Sequence, residues 1–181
     1  RCYFTFGRFQ PPTTGHRDNF AGVKRTASAD DYRIYISQTV DTKGNNPLPP
    51  DRKLFWMNKM FPEHKGKIHS GPRDPVKVLQ DIMMDGYDEV IMLVGSDRVG
   101  AMQFLHKYNG KDFKFRKIDI VSSGSRDADG DTFAVSGTKM RRAAFASDFA
   151  AFRKGIPTKL NDNDCRSLMN EIKANLPANF K

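Results

Sequence analysis

Cysteine is scarce in this chain: Cys2 and Cys165 are the only two, near opposite ends of 181 residues. They lack the paired spacing of a zinc site and cannot frame a disulfide-stapled domain, so they read as free thiols of a reducing compartment, the cytoplasm. Long hydrophobic runs are missing too. The longest, VIMLVG (Val90 to Gly95), falls far short of the roughly 20 apolar residues of a membrane helix and reads as a buried strand. No secretory leader is visible, and the chain opens on Arg1 rather than Met, which leads us to expect residues ahead of it. Neither a GxxxxGK[ST] P-loop nor a GxGxxG dinucleotide fingerprint is present. Cys–His and Ser–His–Asp spacings for nucleophilic catalysis are absent, as are RNA-recognition, KH and zinc-finger patterns and internal repeats. His64, His69 and His106 are scattered, and no metal role is assigned to them.

What is present is a basic chain long enough for about one domain. Its net charge is +9 and its pI near 9.6, which favours an anionic partner, either nucleic acid or a polyphosphate. Charge alone does not separate the two.

Short apolar or β-branched runs bounded by turn residues predict strands at Cys2 to Phe6, Arg33 to Thr39, Lys67 to Ser70, Glu89 to Ser96 and Phe115 to Ser122. Helices are predicted between them, at Arg17 to Ser28, Asp51 to Phe61, Pro75 to Met84 and Asp97 to Tyr108. The third has Asp74 as N-cap and Pro at its first position. This alternation predicts an α/β fold with an open parallel sheet and right-handed crossovers. The end of the chain differs: Gly137 to Ala146, Asp148 to Lys154 and Asp162 to Asn175 read as helices with no further strand. We expect one domain, with residues 1–146 as the α/β core and 147–181 as its helical extension.

Three segments combine turn residues, hydroxyls and cations at predicted strand or helix ends. TTGH (Thr13 to His16) follows the first strand, where open α/β folds keep their ligands. Gly15 lets the backbone approach a ligand, and the helix start beyond it offers N–H groups to an anion. VGSDR (Val94 to Arg98) ends the fourth strand, with room at Gly95, an acceptor in Asp97 and a cation in Arg98. Ser96 or Asp97 would cap the next helix. VSGTKMRR (Val135 to Arg142) opens a late helix with Ser136 or Thr138 as cap and Lys139, Arg141 and Arg142 along it, an anion site by construction. Taken singly, each reads as an ordinary turn or cap. DADGD (Asp127 to Asp131) has the wrong spacing for a calcium loop, with Thr138 rather than Glu at its twelfth position, and reads as a polar loop.

Together, TxGH after the first strand and SGTxxR opening a late helix resemble the HxGH nucleotidyltransferase superfamily, whose signatures read [HT]xGH and [IV]S[GS]TxxR. The resemblance spans roughly Tyr3 to Arg142. GRFQPPTTGH (Gly7 to His16) is similar to the GRFQPxHxGH opening of archaeal-type nicotinamide-mononucleotide adenylyltransferases, and Asn45 to Pro62 resembles their NPFTxxER segment. VGSDR looks like the GxD element of bacterial members. The tail Phe145 to Pro157 resembles phage-encoded members, for which the compartment is the host cytoplasm. One departure is Thr13, which stands where the first signature histidine usually does; pantetheine-phosphate adenylyltransferases also carry Thr there.

The resemblance implies a Rossmann-like (HUP-type) sheet of five strands. It also implies transfer of a nucleotidyl group from a nucleoside triphosphate, ATP before CTP, to a phosphorylated acceptor with release of pyrophosphate. Nicotinamide mononucleotide, giving NAD, is the first acceptor it points to. By the same resemblance, His16 stabilises charge at the α-phosphate, Thr13 helps hold the phosphates, and Ser136, Gly137, Thr138 and Arg141 bind the β- and γ-phosphates. Gly7, Arg8, Phe9, Gly15, Gly95 and Asp97 form the nucleotide pocket. Arg52 is the candidate for the acceptor's phosphate, while Trp56 is core or pocket wall with a lesser claim to stacking on the acceptor. Mg²⁺ would arrive with the triphosphate, no protein metal site is expected, and a homo-oligomer would match the multimeric relatives. The alternatives are a cytidylyltransferase acting on an alcohol or sugar phosphate, and a non-catalytic nucleotide- or nucleic-acid-binding module.

Overall fold

The computed structural model describes residues 1–123 and 136–181. Five strands form, β1 (Cys2–Gly7), β2 (Asp31–Ile36), β3 (Ile68–Ser70), β4 (Glu89–Val94) and β5 (Lys117–Ser122). They make one open sheet in the order β3-β2-β1-β4-β5, and every pairing is parallel. Side chains alternate across such a sheet, and both faces must be covered by helices. One face carries Ile34, Ile36 and Leu93 against Phe20 and Val23 of α1 (Thr14–Ala27) and Met57 and Met60 of α2 (Pro50–Met60). The other carries Phe4, Tyr35 and Met92 against Val78, Leu79 and Ile82 of α3 (Pro75–Met84). The fold is therefore an α/β Rossmann-like arrangement with C-terminal helices.

Those helices are α4 (Gly137–Phe145), α5 (Phe149–Lys154) and α6 (Asp162–Ala174). Ser136, Asp148 and Asn161 cap them, each side chain accepting an N–H from the first turn. Ala144, Phe152, Leu168 and Ile172 join the same core cluster as α1 and α2, so the tail has no separate core. It also touches the start of α1, where the Thr14 N–H donates to Gly155 O at 2.9 Å.

The strand order reverses between β1 and β4, and α/β folds of this kind bind ligands at the carboxyl ends of the strands beside such a reversal. β1 ladders with β2 along its whole length, from Cys2↔Asp31 to Gly7↔Ile36. With β4 it ladders only as far as Phe4↔Met92. Past that pair the two strands share no ladder, and the chain has room for a cleft.

Several element ends shift by one or two residues, and three elements differ from the sequence reading in ways that bear on the site. β2 stops at Ile36 because Ser37 turns aside: its N–H donates to Gly7 O, and its carbonyl and hydroxyl take the Lys53 amine. α1 begins at Thr14, so His16 sits inside its first turn. The stretch predicted as a helix from Asp97 forms 3-10 turns at Ser96–Arg98 and Gly100–Tyr108, with Gly95 rather than Ser96 or Asp97 at the cap position. Only Leu105 of that stretch is buried, and an α-helix needs a packed apolar face. Val135 and the DADGD stretch lie outside the described residues. Among the described residues no helix is long and apolar enough to cross a membrane.

Candidate functional site

At the carboxyl ends of β1 and β4 lies a cleft of about 430 Å³, in the size range of small-molecule sites. Phe6, Pro75, Met92, Val94 and Met102 give its lining an apolar part. Arg8, Arg98, Arg141 and His16 give it a cationic and polar part, with the amides Gln10 and Asn19. No carboxylate lines the cleft among the described residues.

The loop after β1 is shaped by Phe9, which adopts φ +50° although it is a bulky residue. Such backbone costs on the order of 1–3 kcal/mol and points to an overriding constraint. Here the Phe9 ring folds back over Gly7: a Cβ on Gly7 would stand 2.7 Å from the ring. The ring meets Phe20 edge-on at 5.2 Å and His16 edge-on at 4.8 Å, making a wall for the imidazole.

His16 is oriented from its other side. Its Nδ1 accepts the backbone N–H of Thr13, the N-cap of α1, at 3.0 Å. The proton of the neutral ring therefore sits on Nε2, and that atom is a donor. Thr13 itself is buried at 2% exposure, with its hydroxyl 3.3 Å from the same Nδ1. Thr13 thus positions the imidazole and does not line the cleft.

Arg141 comes from the first turns of α4. It is 6% exposed; Nη1 donates to Gln10 O at 2.8 Å and Nη2 to Thr138 Oγ1 at 3.3 Å, while buried Nε has no partner among the described residues. Burial lowers its pKa, and Arg8 close by lowers it further. No carboxylate pairs with Arg8, Arg98 or Arg141 among the described residues. Buried charge normally finds a partner, so a guanidinium left this way at a cleft wall suits an incoming anion. Gly137 makes its approach possible, because a Cβ there would stand 2.9 Å from Arg141 Nη1.

The structure thus gathers most of the sequence candidates. Gly7, Arg8, Phe9, Gly15, His16, Gly95, Gly137 and Arg141 line the cleft. Ser136 and Thr138 stand behind it, one capping α4 and the other bonded to Arg141. Asp97 is exposed in the 3-10 turn between the lining residues Gly95 and Arg98. Arg52 and Trp56 are not brought to the cleft. Arg52 forks onto Glu171 at 2.8 and 3.2 Å, and Trp56, 3% exposed, donates its indole N–H to the same carboxylate at 3.0 Å.

Lys53 is the cation the sequence reading missed. It is fully buried, donates to Ser37 O at 2.8 Å and Ser37 Oγ at 3.2 Å, and burial, with Arg8 adding to it, pushes its amine down to about 8. The signal existed: Lys53, Trp56, Met57 and Met60 fall at helical spacing on one buried face. Among the described residues no group of His, Cys, Asp and Glu could hold a metal ion. No protein-family model matches the chain, and no curated protein matches it.

Proposed function

We propose that the chain is a nucleotidyltransferase that moves the nucleotidyl group of a nucleoside triphosphate, ATP in the first instance, to a phosphorylated acceptor, with nicotinamide mononucleotide the leading candidate. The observation that carries the reading is Arg141, a buried cation that forms no ion pair with a carboxylate among the described residues, in the lining of a switch-point cleft with Arg8 and His16. Its position in SGTxxR, together with the glycine and histidine of TxGH in the same lining, narrows a general anion site to this chemistry.

In this reading an oxygen of the acceptor phosphate attacks the α-phosphorus. A new P–O bond forms, the bond to the bridging oxygen breaks, and pyrophosphate leaves with that electron pair. A phosphate nucleophile is already ionised, so the protein's work is positioning and charge stabilisation. His16 Nε2–H donates to the α-phosphate oxygens, Arg141 and the α4 amides hold the leaving pyrophosphate, and the apolar wall takes the base. Among the described residues the cleft presents no carboxylate; in this reading magnesium comes with the triphosphate, whose oxygens hold it.

The test is pyrophosphate release with Mg²⁺, crossing ATP and CTP against nicotinamide mononucleotide and a panel of phosphorylated acceptors. Release with ATP and nicotinamide mononucleotide identifies NAD formation; release with CTP and an alcohol or sugar phosphate identifies the cytidylyltransferase alternative. His16→Ala should lower turnover by roughly 100- to 1,000-fold, the effect of removing one well-aimed donor. Bound nucleotide without release throughout would replace the enzyme by a nucleotide-binding module. Triphosphate-independent, salt-sensitive affinity for RNA would replace it by a nucleic-acid binder.

A further inference from the structure

Gln10 bonds both to Leu48, ahead of α2, and to Arg141 of α4, two parts of the chain that share no other hydrogen bond among the described residues. It is 3% exposed, and its side-chain amide holds both polar groups of one backbone residue: Nε2 donates to Leu48 O at 2.9 Å, and Leu48 N–H donates to Oε1 at 2.9 Å. A side chain thus does what a neighbouring strand would do. The backbone carbonyl of the same residue accepts from Arg141 Nη1 at 2.8 Å. Gly137 packs against that carbonyl too, its Cβ position lying 3.2 Å from Gln10 O.

Leu48 lies near the end of residues 37–49, the long irregular connection between β2 and α2. Connections of that length in compact domains are uncommon and tend to carry function. This one is tied at its start, where Ser37 N–H donates to Gly7 O at 2.9 Å, and at its end by Gln10. Between those ties Asp41 gathers the turn into itself, its Oδ1 accepting N–H from Lys43, Gly44 and Asn45 and its Oδ2 from the Asn46 amide. Among the described residues, Arg141 makes no hydrogen bond to residues 37–49; Asp41 of that segment acts on it through charge alone, favouring the protonated guanidinium.

We propose that Gln10 is a positioning residue that couples the seating of residues 37–49 to the placement of the Arg141 guanidinium, so that the anion end of the cleft is complete only while that segment is docked. Lifting Leu48 would leave both ends of a buried amide unpaired, at a cost of roughly 1–3 kcal/mol for each such group. Gln10 would then turn to find other partners and carry its own peptide with it. Arg141 already has Nε without a partner and would keep only Thr138. The guanidinium and the segment therefore hold or release together. The proposal builds on Arg141 as a polyphosphate ligand, but the coupling belongs to the chain without ligand.

Two measurements decide it. Calorimetry with tripolyphosphate compares the wild type, Gln10→Met, Arg141→Ala and the double variant. Gln10→Met should weaken binding by roughly tenfold, within the range of energetic coupling between sites, and add nothing once Arg141 is gone. Independent, additive losses would overturn the proposal. Amide exchange without ligand compares Leu48 N–H in the wild type and Arg141→Ala, where exchange should speed up by roughly fivefold or more although Arg141 does not touch Leu48. Unchanged exchange there would also overturn it. If tripolyphosphate does not bind the wild type, the polyphosphate reading fails and the exchange comparison alone decides the role of Gln10. The same comparison decides it if Gln10→Met does not fold.

Discussion

Arg33 and Arg141 are almost equally buried, at 7% and 6% exposure, and their surroundings are opposite. Arg33 on β2 meets Asp31, Asp81 and Asp85 at 3.5, 3.6 and 2.7 Å and donates to the Tyr35 hydroxyl at 2.9 Å. Burial opposes its charge, but Tyr35, Asp85 and their neighbours outweigh that, and its pKa rises. Among the described residues Arg141 has two neutral acceptors and no partner for Nε, and burial lowers its pKa. One guanidinium is closed into the scaffold. The other costs free energy that, under the proposed function, an anion would return, and the contrast distinguishes the cleft from the scaffold.

Exchanging each arginine for methionine tests that contrast, and the largest effect falls on ligand binding. Arg141→Met should weaken triphosphate binding by about 3 kcal/mol, the scale on which truncating one buried, hydrogen-bonded charge partner acts, while leaving thermal stability unchanged or higher. Loss of stability equal to that of Arg33→Met would break the comparison. In the same melts, tripolyphosphate at roughly 100 times its Kd should stabilise the wild type by about 2.7 kcal/mol and Arg141→Met far less.

Arg33→Met should do the reverse. Removing one member of a buried charge cluster costs about 3–5 kcal/mol, and the half-exposed side chains of Asp81 and Asp85 place this case at the low end. A denaturant melt should show the loss, with triphosphate affinity per folded molecule unchanged. A weakened affinity at full folding would mean that the scaffold cluster also shapes the cleft.

Lys53 sharpens the comparison through pH. Its amine is held near 8, below the ordinary 10.5 of the unfolded chain. Between those values the unfolded state binds more protons, so this residue makes stability rise with pH across that window. Cys2 acts oppositely: burial lifts its thiol from 9.0 to about 12, and stability falls as pH climbs from 9 towards that value. The difference between wild type and Lys53→Met isolates the lysine, and the rise from pH 8 to 10 should vanish in the variant. A rise that persists would place the titration elsewhere.

Much of the fold was legible because buried parallel strands are short apolar runs and the helices between them carry capping residues. Asp74 with Pro75 and Ser136 with Gly137 mark helix starts that the structure has. The 3-10 stretch was not legible, since its failure to form an α-helix depends on how little of it is packed. At the site, turn residues, hydroxyls and cations at strand and helix ends pointed to His16 and to Arg141 or Arg142; the family resemblance added Gly7 and Gly137 and chose Arg141. Gln10 and Lys53 act through partners 38 and 16 residues away, and local pattern carries no record of such pairs.

Arg52, the acceptor candidate that the resemblance supplied, stands away from the cleft lining, and its test has the smallest expected effect. The apolar stripe of α2 can also be phased on Leu54, Met57 and Phe61. The structure phases it on Lys53, Trp56, Met57 and Met60, turning Lys53 inward and Arg52 outward. Outside, the Arg52 guanidinium stacks on Phe55 at 4.4 Å and forks onto Glu171, with its side chain 41% exposed. Arg52→Ala should therefore cost no more than about 1 kcal/mol of stability and leave KM for the acceptor unchanged. A large rise in KM with normal folding would mean that the acceptor's phosphate competes with Glu171 for this guanidinium. The acceptor would then approach from the α2–α6 surface and not along the β1–β4 cleft.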